Sequence, residues 1–540
     1  MSLFDRIVTK RYFVFGFLIL IFILNIVALR HKGLTYDEGA HYKYGMNILE
    51  LNSDRFDDSK MPFSVLNAAP RKIWDAIDDW KGTDFLNFLR KMRTGRYVTI
   101  FFSLLVGFFI FKWTSEMYGD YASFFALLLY TFSPNILAHS RLITTDLYAA
   151  GMTVIALYLF RSFLNRGGKG RAFLSAFVLG LSQLAKYTCV YLYPIFLLIV
   201  LFISFGNLKT IIVNRQYAAL GKQLRTFSKC CLLFLVVSIL IINAGYLFNK
   251  SFTPFNEYNF KSKFFKSFQS QFPAMNRLPV PLPYPYVEGL DLVKYYDEPG
   301  NEPFNNYLFG RLRKGEGFKG YYFYAFLYKS PIATQIFLLW AALAYIRKRK
   351  SYDFFKNEIF LIVPILFFTV YFNFFYRVQF GIRFFIVAFP LLYIFCGSLF
   401  KNWRAFNPKL KASAAFLASY LIISVLSYTP HYLSYFNELV WDRKQAYKIL
   451  ADSNIDWGEN NWYLEQYKKR HPDLIVSPDA PMPGTVIVPI NQLTGLTADP
   501  AKYQWLRDHF EPADHIAYSY LIYHISQEQL KSLGLEKINR

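Results

Sequence analysis

The sequence predicts an all-α polytopic membrane protein of about eleven transmembrane helices, with amphipathic helices in its first outer loop and a small C-terminal α/β extracytoplasmic domain. Three observations carry this expectation. The 540 residues are 54% hydrophobic and 20% aromatic but only 18% charged, below the ~25% charge of an average soluble domain. Apolar stretches close to the length of a bilayer crossing recur throughout residues 1–429. The excess of basic residues, 60 Lys+Arg against 37 Asp+Glu, gathers in alternate connections. A net charge of +23 would point to nucleic acid in a soluble protein. Spread over loops that face one leaflet, it orients a membrane protein instead. Such a composition also excludes a disordered chain.

The expected crossings lie at about 12–29, 97–111, 121–138, 146–164, 172–188, 189–206, 229–248, 322–346, 358–375, 384–400 and 412–429. Each must be helical, because lipid offers no partner to a free backbone N–H or C=O. With the N-terminus in the cytoplasm, the inner loops hold basic runs such as Arg347-Lys348-Arg349-Lys350. The short outer connections hold only Arg141, Lys186, Arg377 and Arg383. The first apolar run is longer than a signal-peptide core and lacks a small-residue cleavage pattern, so it reads as a retained helix. The expected location is the cytoplasmic (inner) membrane, with the C-terminal domain on the periplasmic side.

Three segments fall outside the cytoplasm: a first loop over 30–96, a second over 249–321, and a tail over 430–540. The chain therefore divides into a membrane domain, 1–429, and a C-terminal α/β domain, 430–540. In the first loop Ile73, Trp74, Ile77, Trp80, Phe85, Phe88 and Leu89 recur at near-helical spacing between acidic and basic residues. That spacing fits amphipathic helices on the membrane surface or packed on the tail. The run Leu278-Pro279-Val280-Pro281-Leu282-Pro283-Tyr284-Pro285-Tyr286 reads as a stiff extended cover. Within the tail, strand-like runs (485–490, 515–520) alternate with helical ones (461–469, 501–509, 527–533). Cys189, Cys230, Cys231 and Cys396 lie in apolar runs and read as small buried hydrophobes, four being too few for a disulfide framework.

The residues that could carry chemistry sit at the outer membrane edge, where ionisable groups are costly and usually paired or functional. Asp37-Glu38 follows the first span. One carboxylate could act as a general base while the other orients it, or both could stabilise a helix N-terminus. His139, Arg141 and Asp146 occupy one short connection, in which Thr144 or Thr145 could also cap the next helix. Lys186-Tyr187 marks the turn between the fifth and sixth spans. Gln379 and Arg383 precede the tenth, and Arg383 suits bidentate phosphate contact. Snorkelling to the interface is the rival reading for both cations. His41, His139 and His431 lie on separate segments without metal-site spacing. No phosphate-cradling glycine motif occurs, so nothing points to nucleotide handling; no cofactor is expected, and metal dependence stays open.

Taken together, these stretches resemble a family. Asp37-Glu38 with Tyr42 and Gly45, Ser133-Pro134 through Arg141, Thr145-Asp146, Leu184-Ala185-Lys186-Tyr187-Thr188 and Gly381-Ile382-Arg383-Phe384 follow its order. Tyr435-Phe436-Asn437-Glu438-Leu439 and Asp452-Ser453-Asn454-Ile455-Asp456-Trp457-Gly458 continue it through the tail. The chain resembles the GT-C fold glycosyltransferases that use polyprenyl-phosphate sugars, near glycosyltransferase family 39 (protein mannosyltransferase-like) and the aminoarabinose transferases. The resemblance implies transfer of a sugar from a polyprenyl-phosphate donor to an acceptor hydroxyl of a protein, glycolipid or glycan, with inversion. It implies Asp37 as general base, with Glu38 and Asp146 orienting groups around it. It implies Arg383, Lys186 and Arg141 on the donor phosphate, and His41, Tyr42, His139, Tyr187 and Gln379 along the substrate cavity. The alternative is a carrier or flippase of lipid-linked sugar without transferase activity. A transporter is a further alternative; it would favour mid-bilayer charges and paired halves, neither of which the sequence displays.

Overall fold

The computed structural model describes residues 3–9, 11–52, 59–77, 88, 91–213, 217–301 and 304–535. It is mostly helical, with one hairpin and one small sheet. Six described helices are long and apolar enough to cross a membrane: Met92–Tyr118, Asp146–Arg166, Tyr187–Phe205, Leu220–Gly245, Ile382–Phe400 and Pro408–Leu426. Tyr321–Lys329 and Ile332–Arg347, bent by 115°, would make a seventh if taken as one span. Phe13–Leu29 and Ile359–Phe375 are apolar but shorter.

All eleven expected stretches fall on helix, but several are broken or short, and the breaks have local causes. Around 121–138 the chain forms Asp120–Thr131, stops, and restarts as Pro134–His139. Ser133 caps the new helix by accepting from the Ile136 N–H at 3.3 Å, and Pro134 sits in its first turn, where its missing N–H costs nothing. The span expected over 322–346 breaks because Pro331 forces Ser330 into an extended conformation. The expected 172–188 stretch is the 14-residue helix Lys169–Ser182. It ends before a turn that carries Lys186.

In the first loop, helix Glu38–Leu49 packs on Ser64–Ile77. Gly45 allows this contact, since a Cβ there would stand 2.3 Å from the Ser64 carbonyl oxygen. Most of the expected amphipathic stretch beyond 77 lies outside the described residues. The Pro/Tyr run is extended only as far as Pro283, where its backbone pairs with 252–255. It then opens helix Tyr284–Tyr296 with Pro285 in the first turn, which corrects the expected extended cover. A hairpin, Asn305–Leu308 with Arg311–Lys314, follows. Cys189 and Cys396 are buried, but Cys230 is half-buried and Cys231 exposed. Leu232 and Leu235, on the same helix Tyr217–Gly245, are also exposed.

The tail holds a four-stranded sheet. Gly484–Pro489 lies between the short parallel Ile475–Val476 and the antiparallel Tyr520–Ile525, and Asp514–Ile516 forms the far edge. Strand periodicity splits its faces. Ile487 and Ile522 turn toward Leu464 of helix Asn461–Arg470, whereas Val486, Val488, Leu521 and Tyr523 join the main core. The expected strand over 515–520 is two strand ends with a tight turn between them, at Ala517 and Tyr518, both at positive φ. Residues 432–457 pack into the same core as the apolar helices.

Candidate active site

Asp37 precedes helix Glu38–Leu49, and Arg383 sits just past Gly381 in the turn before helix Phe389–Gly397. They are 346 residues apart in sequence, yet Arg383 Nη1 donates to Asp37 Oδ2 at 3.0 Å. Beside them, Lys186 Nζ donates to Asp146 Oδ1 at 2.5 Å, and the His139 ring stands 3.9 Å from the other Asp146 oxygen. The Phe384 ring joins the two pairs, with Lys186 Nζ 4.3 Å and the Arg383 guanidinium 5.3 Å from its centre. Asp37 and Lys186 keep 25% and 17% side-chain exposure, against 3% for Asp146. A ligand can therefore reach the first two directly, while Asp146 serves mainly as the buried counter-charge of Lys186.

Burial is the largest influence on the Asp37 carboxyl and would raise its pKa. Arg383, then Lys60, outweigh it and hold the carboxyl below the usual carboxylate range. Asp37 is thus an anion whose partner is a cation. His41, one turn further along the same helix, is buried and its pKa falls to about 3, first through burial and then through Lys60. It is a neutral imidazole, 3.3 Å from Ser64 Oγ.

The structure thus brings together Asp37, His41, His139, Asp146, Lys186 and Arg383. It does not bring the other expected residues there. Glu38 is fully buried, and both its oxygens are committed. Arg96 binds it through Nε at 2.7 Å and through a second, shorter contact from Nη2, while the backbone N–H groups of Thr35 and Ile143 donate at 2.7 and 3.0 Å. With its lone pairs filled, Glu38 braces the loop before Asp37. Arg141 lines a separate small pocket with Lys32, Arg96 and Glu459 and donates to the Leu137 and Pro430 carbonyls at 3.3 Å. Tyr42 faces Arg71 and Asp75. The Tyr187 hydroxyl meets Tyr246 and the Pro285 carbonyl at 3.4 Å. The Gln379 amide is spent on the backbone N–H and C=O of Phe318, at 2.8 and 2.9 Å.

The sequence marks Asp452–Gly458 only as a motif and gives no site role to the segment that ties the site together, residues 452–460. Trp457 lies under the Arg383 guanidinium at 4.1 Å. Its carbonyl accepts from Tyr36 N–H at 3.0 Å, and the Glu459 carbonyl accepts from Gly33 N–H at 2.7 Å, pinning the Asp37 loop. Ser453 Oγ donates to the Phe380 carbonyl at 2.7 Å, and Asn454 Oδ1 accepts from Ile382 N–H at 3.0 Å, pinning the Arg383 turn. Gly381 must be glycine: its φ is +78°, and a Cβ would stand 2.6 Å from Ser453 Oγ. Burial raises the Asp452 carboxyl pKa, Arg383 partly offsets this, and Asp37 adds to the rise. The signal was present in the polar run Asp452–Asp456, set among aromatic residues. Among the described residues, no group of three or more His, Cys, Asp or Glu side chains could hold a metal ion.

No curated protein sequence matches the chain. Among solved structures, ArnT from Cupriavidus metallidurans bound to undecaprenyl phosphate is similar at 11% identity and a TM-score of 0.44, over 95% of this chain and 97% of that one. The archaeal oligosaccharyltransferase AglB from Archaeoglobus fulgidus, in complex with an inhibitory peptide and a dolichol-phosphate, is similar at 14% identity and a TM-score of 0.45. That match covers 76% of this chain and 55% of that one. The apo form of the oligosaccharyltransferase from Archaeoglobus fulgidus is similar at 15% identity and a TM-score of 0.48, over 86% and 58%. Residues 87–245, which include His139, Arg141, Asp146 and Lys186, match the family model of the dolichyl-phosphate-mannose-protein mannosyltransferases. Over that stretch the chain resembles the family to which its motifs point.

Proposed function

We propose that the protein is an integral membrane glycosyltransferase that moves a sugar from a polyprenyl-phosphate donor to an acceptor hydroxyl at the outer face of the cytoplasmic membrane. The observation that carries this reading is the Asp37–Arg383 pair at 3.0 Å beside the Asp146–Lys186 pair at 2.5 Å. A carboxylate base and two phosphate-seeking cations stand within one site at the ends of apolar helices. The lipid phosphate is an activated leaving group, so no nucleotide is required. The acceptor O–H gives its proton to Asp37 as its oxygen bonds to the anomeric carbon. The bond from that carbon to the phosphate oxygen breaks, and its electron pair leaves on the phosphate. Arg383 and Lys186 stabilise the growing charge. A single displacement inverts the anomeric centre. Asp146 and His139 set the position of Lys186, and His41 lines the site. Burial around Trp457 and Phe384 keeps out water that would hydrolyse the donor.

In this reading the eleven apolar stretches, 1–429, are membrane crossings and short breaks, with the N-terminus in the cytoplasm. The tail, 430–540, is an extracytoplasmic α/β domain whose first thirty or so residues close the site. The test offers lipid-linked sugars, together with an envelope fraction as the source of acceptor hydroxyls, both from cells lacking the gene, to the purified protein in nanodiscs. Release of free polyprenyl phosphate is followed by mass spectrometry. Arg383→Gln and Lys186→Gln should each lower kcat/KM by about a hundredfold, the usual scale for losing one charge-stabilising donor. Release at the wild-type rate by both variants would refute the assignment.

A further inference from the structure

A second cavity, of about 870 Å³, opens beside the site. One wall is the hairpin Asn305–Leu308/Arg311–Lys314 and the loop after it; the other is formed by residues 373–379. Arg311 and Arg313 are two residues apart on one strand and so lie on the same face. Arg313 sits over the Phe318 ring at 4.6 Å. Lys319 and Arg377 add two more cations, and among the described residues Glu316 is the one acidic residue in the lining. Among the described residues, none of Arg311, Arg313 and Lys319 forms an ion pair with a carboxylate.

The walls are pinned rather than loose. Gln379 clamps Phe318 through both its N–H and C=O, and Asn306 Nδ2 donates to the Arg377 carbonyl at 3.0 Å. Gly317 permits the close approach, because a Cβ there would stand 2.9 Å from Arg377 Cα. The rim is aromatic and open: Phe309, Tyr324 and Phe374 are 43%, 41% and 52% exposed. Tyr324 and Phe374 belong to apolar helical segments, which sets the rim at the level where aromatic rings meet lipid head groups. Cations inside and aromatic rings at the lipid edge match an anionic amphiphile, with its phosphate on the guanidinium groups and its chains along the rings.

We propose that this cavity binds a phosphate-bearing head group, separately from the Asp37–Arg383 site. The two are neighbours, since the Tyr376 ring lines the cavity and lies 5.4 Å from Phe384. The proposal does not rest on transferase activity, because binding is read without turnover.

The test is native mass spectrometry of the full-length protein in neutral micelles, with phosphatidylglycerol as probe and phosphatidylcholine as competitor. The triple variant Arg311→Gln/Arg313→Gln/Lys319→Gln should retain phosphatidylglycerol about fivefold less than wild type, as expected when charge-assisted contacts are lost. Lys468→Gln/Lys469→Gln/Arg470→Gln, which removes as much exposed charge from the tail helix, should retain it normally. If the triple variant does not fold, Lys319→Glu alone, at an exposed position, carries the same comparison. Displacement of the lipid by millimolar inorganic phosphate would identify the phosphate group alone as the ligand, and resistance would identify the lipid. Both support the site. Equal retention by the pocket variants and wild type, or an equal loss in the tail control, overturns it.

Discussion

Asp37 and Glu38 are adjacent in sequence and meet opposite fates. Successive residues on a helix point about 100° apart, so one turns toward Arg383 and the other into the protein, onto Arg96. Glu38 is fully buried with five donors on its two oxygens, whereas Asp37 stays partly exposed. Glu38→Gln should leave the Arg96 guanidinium buried without its counter-charge, a change that typically costs about 3–5 kcal/mol. A thermal melt in detergent should show a lowered Tm, and an unchanged Tm would remove Glu38 from its bracing role. The accessible half of this pair was singled out in the sequence, because an acidic residue just beyond an apolar stretch is costly unless paired or used. The bracing half was not, since Arg96 is 58 residues away and no spacing rule reveals a buried partner. Arg141 and Gln379 lie apart from the Asp37–Arg383 pair, which no spacing rule revealed either. Their types suit a phosphate or sugar, but their donors are taken by carbonyls and backbone that only the fold brings near.

At the scale of elements, the site depends on how helices are interrupted. Pro134 and Pro331 break apolar stretches and free polar segments at the helix ends, near which residues 452–460 pack. That segment touches both halves of the Asp37–Arg383 pair and sets the distance between them. Trp457 is the residue that tests this. Its ring under Arg383 contributes about 0.5–2 kcal/mol as a cation–π contact and fixes the guanidinium plane. Trp457→Leu should lower kcat with little change in donor KM, and Trp457→Phe should restore most of it. A loss of protein stability that Phe does not rescue would mark the ring as packing only. The positions of these helices were legible from hydrophobic runs, but their breaks were passed over. Proline inside a membrane span is often tolerated, and only tertiary packing decides whether the chain bends there. The hairpin at 305–314 was missed because its four-residue strands leave almost no periodic signal.

At the scale of the whole molecule, the site gathers residues far apart in sequence: Asp37, Asp146, Lys186, Arg383 and Trp457. The proposed orientation predicts opposite labelling of two single-cysteine variants made in a cysteine-free background. Arg277→Cys should react with a membrane-impermeant maleimide from outside intact spheroplasts, and Lys350→Cys only after lysis. Labelling of Lys350→Cys from outside would invert the topology. The central claim is that Asp37 takes the acceptor's proton in a site that also holds the donor phosphate. The most direct measurement pairs turnover with donor binding in purified Asp37→Asn. The account predicts a fall in kcat of about a hundredfold or more, within the range for a general base, with donor affinity kept within about threefold. Transfer by Asp37→Asn at the wild-type rate would contradict it.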